Sequence, residues 1–316
     1  MKIIVTGGAG FIGSSFINYI KSNYDVEVVC VDKLTYCANK DNIKYPVEFI
    51  EKDIVDLTSD DLGEFEYIVN FAAETHVDNS ISDGKPFIKS NFEGVYNLLE
   101  ISRNNNKLRK FVQISTDEVY GDMSDYGIGV IANEEFDLKP SSYYSSSKAS
   151  ADLLVQSANR TYGIPYLITR TCNNFGKHQF KEKFLPKIHE CIEKGIEVPL
   201  YGEGSQTREW IHVEDNVRFI SWLMFDVGTV NEIYNIGSGI KYSNIRIINL
   251  INGELGYKPV RYKHVADRLG HDKTYSLDST KLKKKLRDLG KTYNVMHISK
   301  YFNELYRNKE NVSDWF

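Results

Sequence analysis

Residues 2–13 read KIIVTGGAGFIG, and this stretch decides the fold. A short β-branched run breaks at glycines, and helical apolar spacing follows over Phe11–Ile20. Gly7, Gly10 and Gly13 therefore stand directly between a predicted strand and a predicted helix. Glycine reaches positive φ at little cost, and its missing side chain lets backbone N–H groups approach a pyrophosphate at a helix N-terminus. The spacing predicts a dinucleotide-binding turn; a purely structural turn is the alternative.

An acidic residue follows the next predicted strand. Asp32 comes directly after Val26–Val31, about 20 residues beyond the glycines. A carboxylate at this position accepts hydrogen bonds from ribose hydroxyls and repels a 2′-phosphate, so NAD is favoured over NADP. Lys33 weakens this preference, because a base at this point could hold a phosphate.

The next 150 residues alternate between strands and helices, which is typical of an α/β protein with a parallel sheet covered on both faces. The further predicted strands are Val47–Ile50, Tyr67–Ala72, Lys110–Ile114 and Tyr166–Thr169, and the longer helices are Pro86–Arg103 and Tyr143–Tyr162. We predict a doubly wound, Rossmann-type NAD-binding domain over residues 1–172. Residues 173–316, with shorter elements, are expected to form a smaller α/β substrate-binding region, and the chain could cross between the two. The basic run Lys281–Lys291 is expected to be the solvated face of a helix.

Composition excludes several classes of protein. The 316 residues carry a net charge of −4, which argues against nucleic acid or an anionic membrane as the main partner. No apolar run reaches the length of about 18 residues that a membrane span needs, and the N-terminus does not resemble a signal peptide. The four cysteines show no C-x-x-C spacing, so we expect a reduced, cytoplasmic protein without a metal site.

Tyr144 and Lys148 are candidate catalytic residues. They are four residues apart near the start of a predicted helix, so they share one face. An ammonium beside a phenol is expected to favour the phenolate and lower its pKa, which suits proton removal from an alcohol. The pattern alone is weak, because tyrosines and lysines are common in this chain.

A second candidate group follows the strand Lys110–Ile114. Thr116, Asp117 and Glu118 lie where the carboxyl end of a parallel strand faces the substrate crevice. A simple alcohol dehydrogenase does not need two further acids, whereas a dehydration needs a base for a carbon-bound proton and an acid for the departing hydroxide. A solvated loop acid before a helix-starting glutamate is the structural alternative.

The G-x-x-G-x-x-G spacing resembles the extended short-chain dehydrogenase/reductase family, and the chain is further similar, essentially end to end, to the dTDP-glucose 4,6-dehydratases. The segments that carry the resemblance are Asp32–Tyr36, Ala72–Asp78, Ser115–Gly121, Asn173–Gly176, Glu182–Pro186, Pro199–Gly202, Arg208–Trp210 and Ala266–Asp272. Related epimerases and UDP-glucuronate decarboxylases share the glycine loop and Y-x-x-x-K but lack the T-D-E triplet.

The resemblance implies a mechanism in which NAD stays bound. Tyr144, helped by Lys148 and Thr116, takes the sugar 4-hydroxyl proton while a hydride leaves carbon 4. Glu118 then removes the carbon-5 proton, Asp117 protonates the leaving 6-hydroxyl, and the hydride returns to carbon 6. The product is a 4-keto-6-deoxy sugar, so the outcome is that of a lyase.

The resemblance also assigns binding residues. Those expected at the cofactor are Gly7, Gly10, Phe11, Ile12, Gly13, Asp32, Lys33, Leu34, Thr35, Asp53, Ile54, Phe71, Ala72, Ala73, Ser90, Tyr144, Lys148 and Asn174. Those expected at the nucleotide-diphosphate hexose are Thr75, Thr116, Asn173, Lys183, Phe184, Pro199, Tyr201, Arg208, Asn235, Arg268 and His271. Guanidinium groups suit the two phosphates, since they bind phosphate oxygens bidentately.

Two departures from the family pattern leave the substrate open. Thr75 replaces a serine near the hexose, and Phe184 replaces a leucine near the pyrimidine. UDP-glucose or another nucleotide hexose is therefore an alternative to dTDP-glucose, because one methyl group is worth only roughly 1–3 kcal/mol in a pocket. A 4-epimerase and a non-catalytic NAD-binding protein are further alternatives. The resemblance also implies a homodimer paired through the helices Pro86–Arg103 and Tyr143–Tyr162, and a role in deoxysugar and polysaccharide biosynthesis.

Overall fold

The computed structural model describes residues 1–255 and 260–307. Its strands are β1 Lys2–Thr6, β2 Glu27–Asp32, β3 Glu48–Glu51, β4 Tyr67–Asn70, β5 Lys110–Thr116, β6 Tyr166–Thr171, β7 Asn173–Phe175, β8 Val198–Tyr201, β9 Thr207–His212, β10 Glu232–Ile236, β11 Lys241–Ser243 and β12 Tyr262–Val265. Its α-helices are α1 Phe11–Asn23, α2 Ser59–Leu62, α3 Val77–Ser82, α4 Lys85–Ile88, α5 Gly94–Arg103, α6 Tyr143–Tyr162, α7 Phe184–Lys194, α8 Val213–Phe225, α9 Asn244–Leu255, α10 Thr280–Asp288 and α11 Ile298–Arg307.

A seven-stranded parallel sheet forms the centre of the molecule, in the order β10-β6-β5-β4-β1-β2-β3. Its inner strands β1, β2, β4, β5 and β6 are almost wholly buried, because helices cover both faces and each face has its own hydrophobic core. The strand order reverses between β1 and β4, and ligands bind at such a switch point at the carboxyl ends of the strands. The predicted doubly wound α/β fold is confirmed.

The predicted elements are present, with small differences at their ends. The long helix α6 has the predicted bounds Tyr143–Tyr162. The predicted helix Pro86–Arg103 is α4 and α5 joined by a π-helical turn over Lys89–Glu93. β5 continues to Thr116, which was expected in a loop, so Thr116 ends a strand and fixes the direction in which Asp117 and Glu118 leave it.

The chain crosses the predicted boundary between residues 172 and 173. β10, from beyond that boundary, pairs with β6 and completes the large sheet, and α8 packs on α1. The remaining part holds two small sheets, β11-β9-β7 and β12-β8, around a third apolar core with α7, α9 and α11. Within the two described ranges, no helix is both long and apolar enough to cross a membrane.

The basic run after residue 280 is helical, as expected. In α10, Leu282 and Leu286 are fully buried while the lysines between them reach the surface. Lys281 and Lys285 form ion pairs with Glu232 and Asp226. This helix packs against β10 through its buried leucines.

Candidate active site

The glycine turn between β1 and α1 has no room for side chains. Gly7 has a φ of 67°, and a Cβ on it would lie 2.5 Å from the Ala72 backbone nitrogen. A Cβ on Gly13 would lie 2.2 Å from the Gly7 carbonyl oxygen. The turn therefore brings β1, α1 and the end of β4 into backbone contact at the mouth of the sheet, which is the arrangement that a dinucleotide pyrophosphate requires.

Asp32 ends β2 beside this turn. Its two carboxylate oxygens accept hydrogen bonds from the Ala9 nitrogen at 3.0 Å and the Leu34 nitrogen at 2.9 Å. Burial raises the pKa of Asp32, and the two backbone N–H groups oppose that rise. The carboxylate is thereby fixed at the position where a ribose would meet it.

Lys33 is not free to hold a phosphate. Its ammonium lies 3.5 Å from the carboxylate of Asp53 and 3.4 Å from that of Glu74. These two carboxylates balance the charge of Lys33. Lys33 therefore offsets less of the repulsion between Asp32 and a 2′-phosphate, which favours NAD over NADP. Glu74 was missed as a site residue, because its approach to Lys33 depends on the pairing of distant strands.

A cavity of about 340 Å³ extends from the glycine turn along the carboxyl ends of the strands. The predicted cofactor residues that line it are Gly7, Gly10, Phe11, Ile12, Gly13, Asp32, Lys33, Thr35, Asp53, Ile54, Phe71, Ala72, Ala73, Ser90, Tyr144, Lys148 and Asn174. Leu34 lies beside it without lining it. The predicted catalytic and substrate residues on the same cavity are Thr75, Thr116, Asp117, Glu118, Asn173, Lys183 and Phe184.

Tyr144 and Lys148 lie in the first two turns of α6. The helix begins with a capping box in which Ser142 and Ser145 bond each other's backbone nitrogens, which sets where the first turn starts. Both Tyr144 and Lys148 are buried. Lys148 Nζ donates a hydrogen bond to the Ile114 carbonyl oxygen at 2.6 Å. Lys148 therefore reaches the end of β5 from the start of α6.

The expected effect on the Tyr144 phenol is wrong for the protein alone. Burial raises the pKa of Tyr144 above its usual range, the charges of Glu118 and Asp117 add to the rise, and a hydrogen bond with Thr116 opposes it. Burial also lowers the pKa of Lys148 to about 8. Desolvation thus outweighs the lowering that the lysine was expected to provide.

Asp117 and Glu118 are in different environments although they are adjacent. Burial and the charge of Glu118 raise the pKa of Asp117 to about 8, so Asp117 carries a proton at neutral pH. Its Oδ1 accepts a hydrogen bond from Thr116 at 3.1 Å, and its buried Oδ2 has no partner among the described residues. Burial also raises the pKa of Glu118, but Arg208 and Arg268 oppose the rise. Both carboxyl groups therefore favour their protonated forms more than free carboxyl groups do, and Glu118 has one more arginine opposing this effect.

Polar contacts join the outer part of the site. Lys183 Nζ donates to the Thr75 carbonyl oxygen at 3.1 Å. Asp78 accepts a hydrogen bond from the Tyr201 hydroxyl at 3.2 Å and lies 3.5 Å from Arg268 Nη1. Arg268 Nε is buried without a hydrogen-bond acceptor in the part of the chain that the structure describes.

Six predicted substrate residues lie outside the cavity lining: Pro199, Tyr201, Arg208, Asn235, Arg268 and His271. Arg208 is buried, stacks on Tyr275 at 4.2 Å and donates to the carbonyl oxygens of Thr207, Asp272 and Lys273. Its guanidinium is thus committed to the backbone of the segment after His271.

Asn235 and His271 also have partners within the protein. The fully buried Asn235 amide donates to the Ala132 carbonyl oxygen at 2.9 Å and accepts from the Tyr120 hydroxyl at 2.8 Å. His271 Nδ1 lies 2.6 Å from Asp267 Oδ1, and burial lowers the pKa of His271. Substrate contacts by these two residues remain predictions.

Several cavity residues were not predicted from the sequence, and Gln179, Phe180 and Trp210 are the most informative of them. Gln179 Oε1 and Trp210 Nε1 are buried polar atoms without a partner within residues 1–255 and 260–307. Trp210 lies 6.3 Å from Phe184, ring centre to ring centre. The Arg208–Trp210 segment was assigned to the substrate through its arginine alone. The tryptophan at the end of this segment was the signal that could have identified a further cavity residue.

Comparison with known proteins gives a consistent result. A sequence model of the NAD dependent epimerase/dehydratase family matches residues 3–237. The low-salt glycan biosynthesis protein Agl12 of Haloferax volcanii is 43% identical over 90% of this chain and 92% of its own, and a dTDP-glucose 4,6-dehydratase of Streptomyces niveus is 38% identical over 90% and 87%.

Solved structures agree with these relatives. DesIV, a dTDP-glucose 4,6-dehydratase from Streptomyces venezuelae crystallised with NAD, superposes with a TM-score of 0.89 at 36% identity over 98% of both chains. A UDP-glucuronic acid 4-epimerase from Bacillus cereus, crystallised with UDP-glucuronic acid and NAD, also has a TM-score of 0.89, at 25% identity over 97% and 98%.

Proposed function

Because the chain belongs to the NAD dependent epimerase/dehydratase family, we propose that it is a nucleotide-hexose 4,6-dehydratase that converts dTDP-glucose to dTDP-4-keto-6-deoxyglucose. The observation that carries the proposal is the pair Asp117 and Glu118 on the cavity that also holds Tyr144 and Lys148. Elimination of water needs a proton donor and a proton acceptor in one site. Burial and the charge of Glu118 raise the pKa of Asp117 to about 8, while Arg208 and Arg268 oppose the effect of burial on the pKa of Glu118.

NAD is the proposed cofactor. The tight glycine turn, the fixed Asp32 carboxylate and the compensated Lys33 fit a dinucleotide without a 2′-phosphate. When bound, NAD would supply the hydride acceptor for oxidation at carbon 4 of the hexose and the hydride donor for reduction at carbon 6.

The side chains of the site then divide the proton transfers. Tyr144 accepts the proton of the 4-hydroxyl, with Thr116 hydrogen-bonded to its phenol. The ketone at carbon 4 acidifies the carbon-5 proton, which Glu118 removes. Asp117 donates its proton to the 6-hydroxyl, which leaves as water. Burial of Asp117 holds that proton in place until the elimination step.

The nucleotide is proposed to lie on the side of the cavity formed by the C-terminal part of the chain. Phe184 and Trp210 give an aromatic wall for the pyrimidine, with Pro199 and Tyr201 further out. Arg268, which has an unpartnered buried Nε, is the better placed of the two predicted phosphate ligands. Arg208 supports the segment that carries His271 and lowers the pKa of both acids from a distance.

A 4-epimerase is the second candidate, because epimerases of known structure share the fold at 25–28% identity. An epimerase has no elimination step, so it has no need of a protonated Asp117 beside Glu118. The 43% identity to a glycan biosynthesis protein supports a role in deoxysugar and polysaccharide biosynthesis. We place the enzyme in the cytoplasm, where its four free cysteines would stay reduced.

We further propose that the enzyme is a homodimer. The outer surface of α3 to α6 exposes large apolar side chains, and these are Ile81, Ile88, Phe92, Tyr96, Tyr143 and Leu153. Exposed large apolar side chains on successive helices of one region favour an interaction site there. Pairing of α5 and α6 with the same helices of a second copy about a two-fold axis would cover it.

The test is a comparison of substrates. The purified protein is incubated with dTDP-, UDP-, CDP- and GDP-glucose, and the absorbance of the products in alkali reports a 4-keto sugar. We expect the signal with dTDP-glucose to exceed the others. A stronger signal with UDP-glucose would correct the nucleotide, and equilibration between two hexose epimers without a keto product would establish the epimerase instead.

A further inference from the structure

A buried ion pair lies directly behind the Tyr144–Lys148 pair, and no step of the proposed reaction uses it. Asp152 is one helical turn beyond Lys148 on α6 and is completely buried. Its Oδ2 lies 2.9 Å from Arg170 Nε and accepts a hydrogen bond from the Ser115 hydroxyl at 3.0 Å. Buried charges are costly even when they are paired, so this pair calls for an explanation beyond stability.

The pair connects the three elements that form the catalytic centre. Ser115 precedes Thr116 in β5, and Arg170 lies opposite Ser115 in the β5–β6 register. The carbonyl of Ile114, next in line on β5, is the acceptor for Lys148 Nζ. Asp152 therefore fixes α6 against β5 and β6 at the level of the reacting groups.

The charge of Asp152 is only partly compensated. Arg170 and Ser115 both bind Oδ2, and the buried Oδ1 has no hydrogen-bond partner among the described residues. The Lys148 ammonium comes from the residue one helical turn earlier on the same face of α6. Burial lowers the pKa of Lys148, and the Asp152 carboxylate opposes that effect.

Lys148 is buried where α6 packs on β5 and β6. The titratable and charged groups near this contact are Tyr144 and Asp152 on α6, Asp117, Glu118 and Tyr120 after β5, and Arg170 on β6, which donates to the Tyr120 hydroxyl. The helices before α6 also carry charged residues, and Lys85, Lys89 and Glu93 among them are exposed. On the side of the preceding helices, Phe87 contacts the Tyr144 ring and Asn91 donates to Ser147, and both are uncharged.

We propose that Asp152 is a positioning residue that keeps the Lys148 ammonium charged and fixed against β5, and that Arg170 limits how much of the Asp152 charge acts on it. The inference rests on the proposed function for what Lys148 does in the reaction, and on the geometry alone for the effect on its protonation. Loss of Asp152 and loss of Arg170 should then shift the protonation of Lys148 in opposite directions.

The direct test is titration of Lys148 by NMR in the full chain without added nucleotide, with isotope-labelled lysine and Lys148→Arg to assign the signal. Asp152→Asn keeps the shape and an acceptor oxygen but removes the charge, and we expect the midpoint to fall by about one pH unit or more. Arg170→Gln should raise the midpoint, and Asp152→Glu should restore it. Unchanged midpoints in Asp152→Asn and Arg170→Gln would overturn the proposal.

Either single charge removal leaves a buried charge without its partner, which could prevent folding. The double variant Asp152→Asn/Arg170→Gln removes both charges and keeps hydrogen-bonding side chains at both positions. Its Lys148 midpoint should lie below that of the wild type, because the Asp152 charge is gone. A midpoint equal to that of the wild type would show that the pair is purely structural, and would contradict the proposal.

A kinetic measurement connects protonation to chemistry. The rate at which reduced-nicotinamide absorbance forms in a single turnover should fall at high pH, and in Asp152→Asn this decline should move to lower pH by the shift seen in the titration. A titration shift without a kinetic shift would refute the positioning role. A wild type that is inactive on every nucleotide hexose would instead refute the proposed function, while the titration would still be readable.

Discussion

At the scale of single residues, two adjacent carboxyl groups are given different chemistry by their surroundings. Asp117 is buried beside Thr116, with one oxygen unpartnered among the described residues, and its pKa rises to about 8. The pKa of Glu118 is also raised, but two arginines oppose the rise. Both acids follow the end of β5, and their order in the chain does not separate their roles. Burial and neighbouring charges separate them.

The variant Glu118→Gln tests that separation. The first oxidation needs Tyr144, Lys148 and Thr116, whereas proton removal at carbon 5 needs Glu118. We expect reduced-nicotinamide absorbance to accumulate on mixing with dTDP-glucose, and product formation to fall by about 10²–10⁴-fold. Tyr144→Phe should give neither signal.

The surface variant Glu197→Gln serves as the matched control, because Glu197 is exposed and far from the cavity lining. It should behave as the wild type. Normal turnover by Glu118→Gln would show that Glu118 is not the base of the elimination step, and it would favour the epimerase as the function.

Asp32 and Lys33 favour different cofactors: the carboxylate favours NAD, and the ammonium would favour NADP. Asp32 is fixed by two backbone N–H groups, while Lys33 is held by Asp53 and Glu74. We expect the wild type to bind NAD at least about tenfold more tightly than NADP, a difference of roughly 1.4 kcal/mol. Calorimetric titration of the cofactor-free protein measures both constants.

Two matched variants show which of the two residues sets the preference for NAD. Asp32→Asn should narrow the preference for NAD, because the carboxylate charge that repels a 2′-phosphate is gone. Lys33→Met should leave the preference in place. Tighter binding of NADP by the wild type would mean that Lys33 leaves its acidic partners and governs the site.

At the scale of elements, much of the architecture was predictable because local signals mark it. α6 has its predicted bounds, since Ser142 caps its start and Gly163, with a φ of 74°, ends it. The glycine turn and Asp32 follow from the residue spacing after β1 and β2. The return of β10 to the edge of the large sheet had no local signal, because it depends on pairing between strands about 60 residues apart in sequence.

The site was predictable to the same extent. Residues directly after strands, such as Asp117 and Glu118, lie where expected. The contacts of Glu74 with Lys33 and of Arg208 with three backbone carbonyls were not predictable, because each joins segments that meet only in the folded chain. The raised pKa of Tyr144 was missed for a related reason: burial is a property of the tertiary structure.

The glycine turn yields a prediction at this scale. Gly13→Ala would place a methyl group 2.2 Å from the Gly7 carbonyl oxygen, so the turn must open. We expect NAD affinity to fall at least about tenfold, and stability to fall by about 1–3 kcal/mol from overpacking. Denaturant unfolding of the cofactor-free protein and calorimetric titration with NAD measure the two effects.

Gly253→Ala in α9 is the matched control, because a Cβ there meets nothing within 4 Å. It should raise stability by about 0.5–1 kcal/mol and leave NAD affinity unchanged. Wild-type affinity in Gly13→Ala would show that the turn does not bind the cofactor.

At the scale of the whole molecule, the helices before and including α6 present exposed apolar side chains that a second copy could cover. The outer side of α5 and α6 exposes Tyr96 and Leu153, each more than half accessible. If two copies pair through this surface, Leu153→Glu places a charge in the interface and should convert the dimer to a monomer. Analytical ultracentrifugation at several concentrations measures the change.

Ile128→Glu is the control for this experiment. Ile128 is a fully exposed apolar residue in a turn that belongs to neither α5 nor α6, so its replacement should leave the dimer intact. A wild type that sediments as an active monomer would rule out the dimer, as would dissociation by Ile128→Glu and not by Leu153→Glu.

The central claim is that this chain removes water from a nucleotide hexose across carbons 5 and 6. The most direct measurement is mass spectrometry and NMR of the product formed from dTDP-glucose by the wild-type protein in deuterium oxide. We predict a 4-keto-6-deoxy sugar, lighter than the substrate by one water apart from the isotope, with deuterium at carbon 5. A product with the mass of the substrate, or a keto sugar without deuterium at carbon 5, would contradict the account.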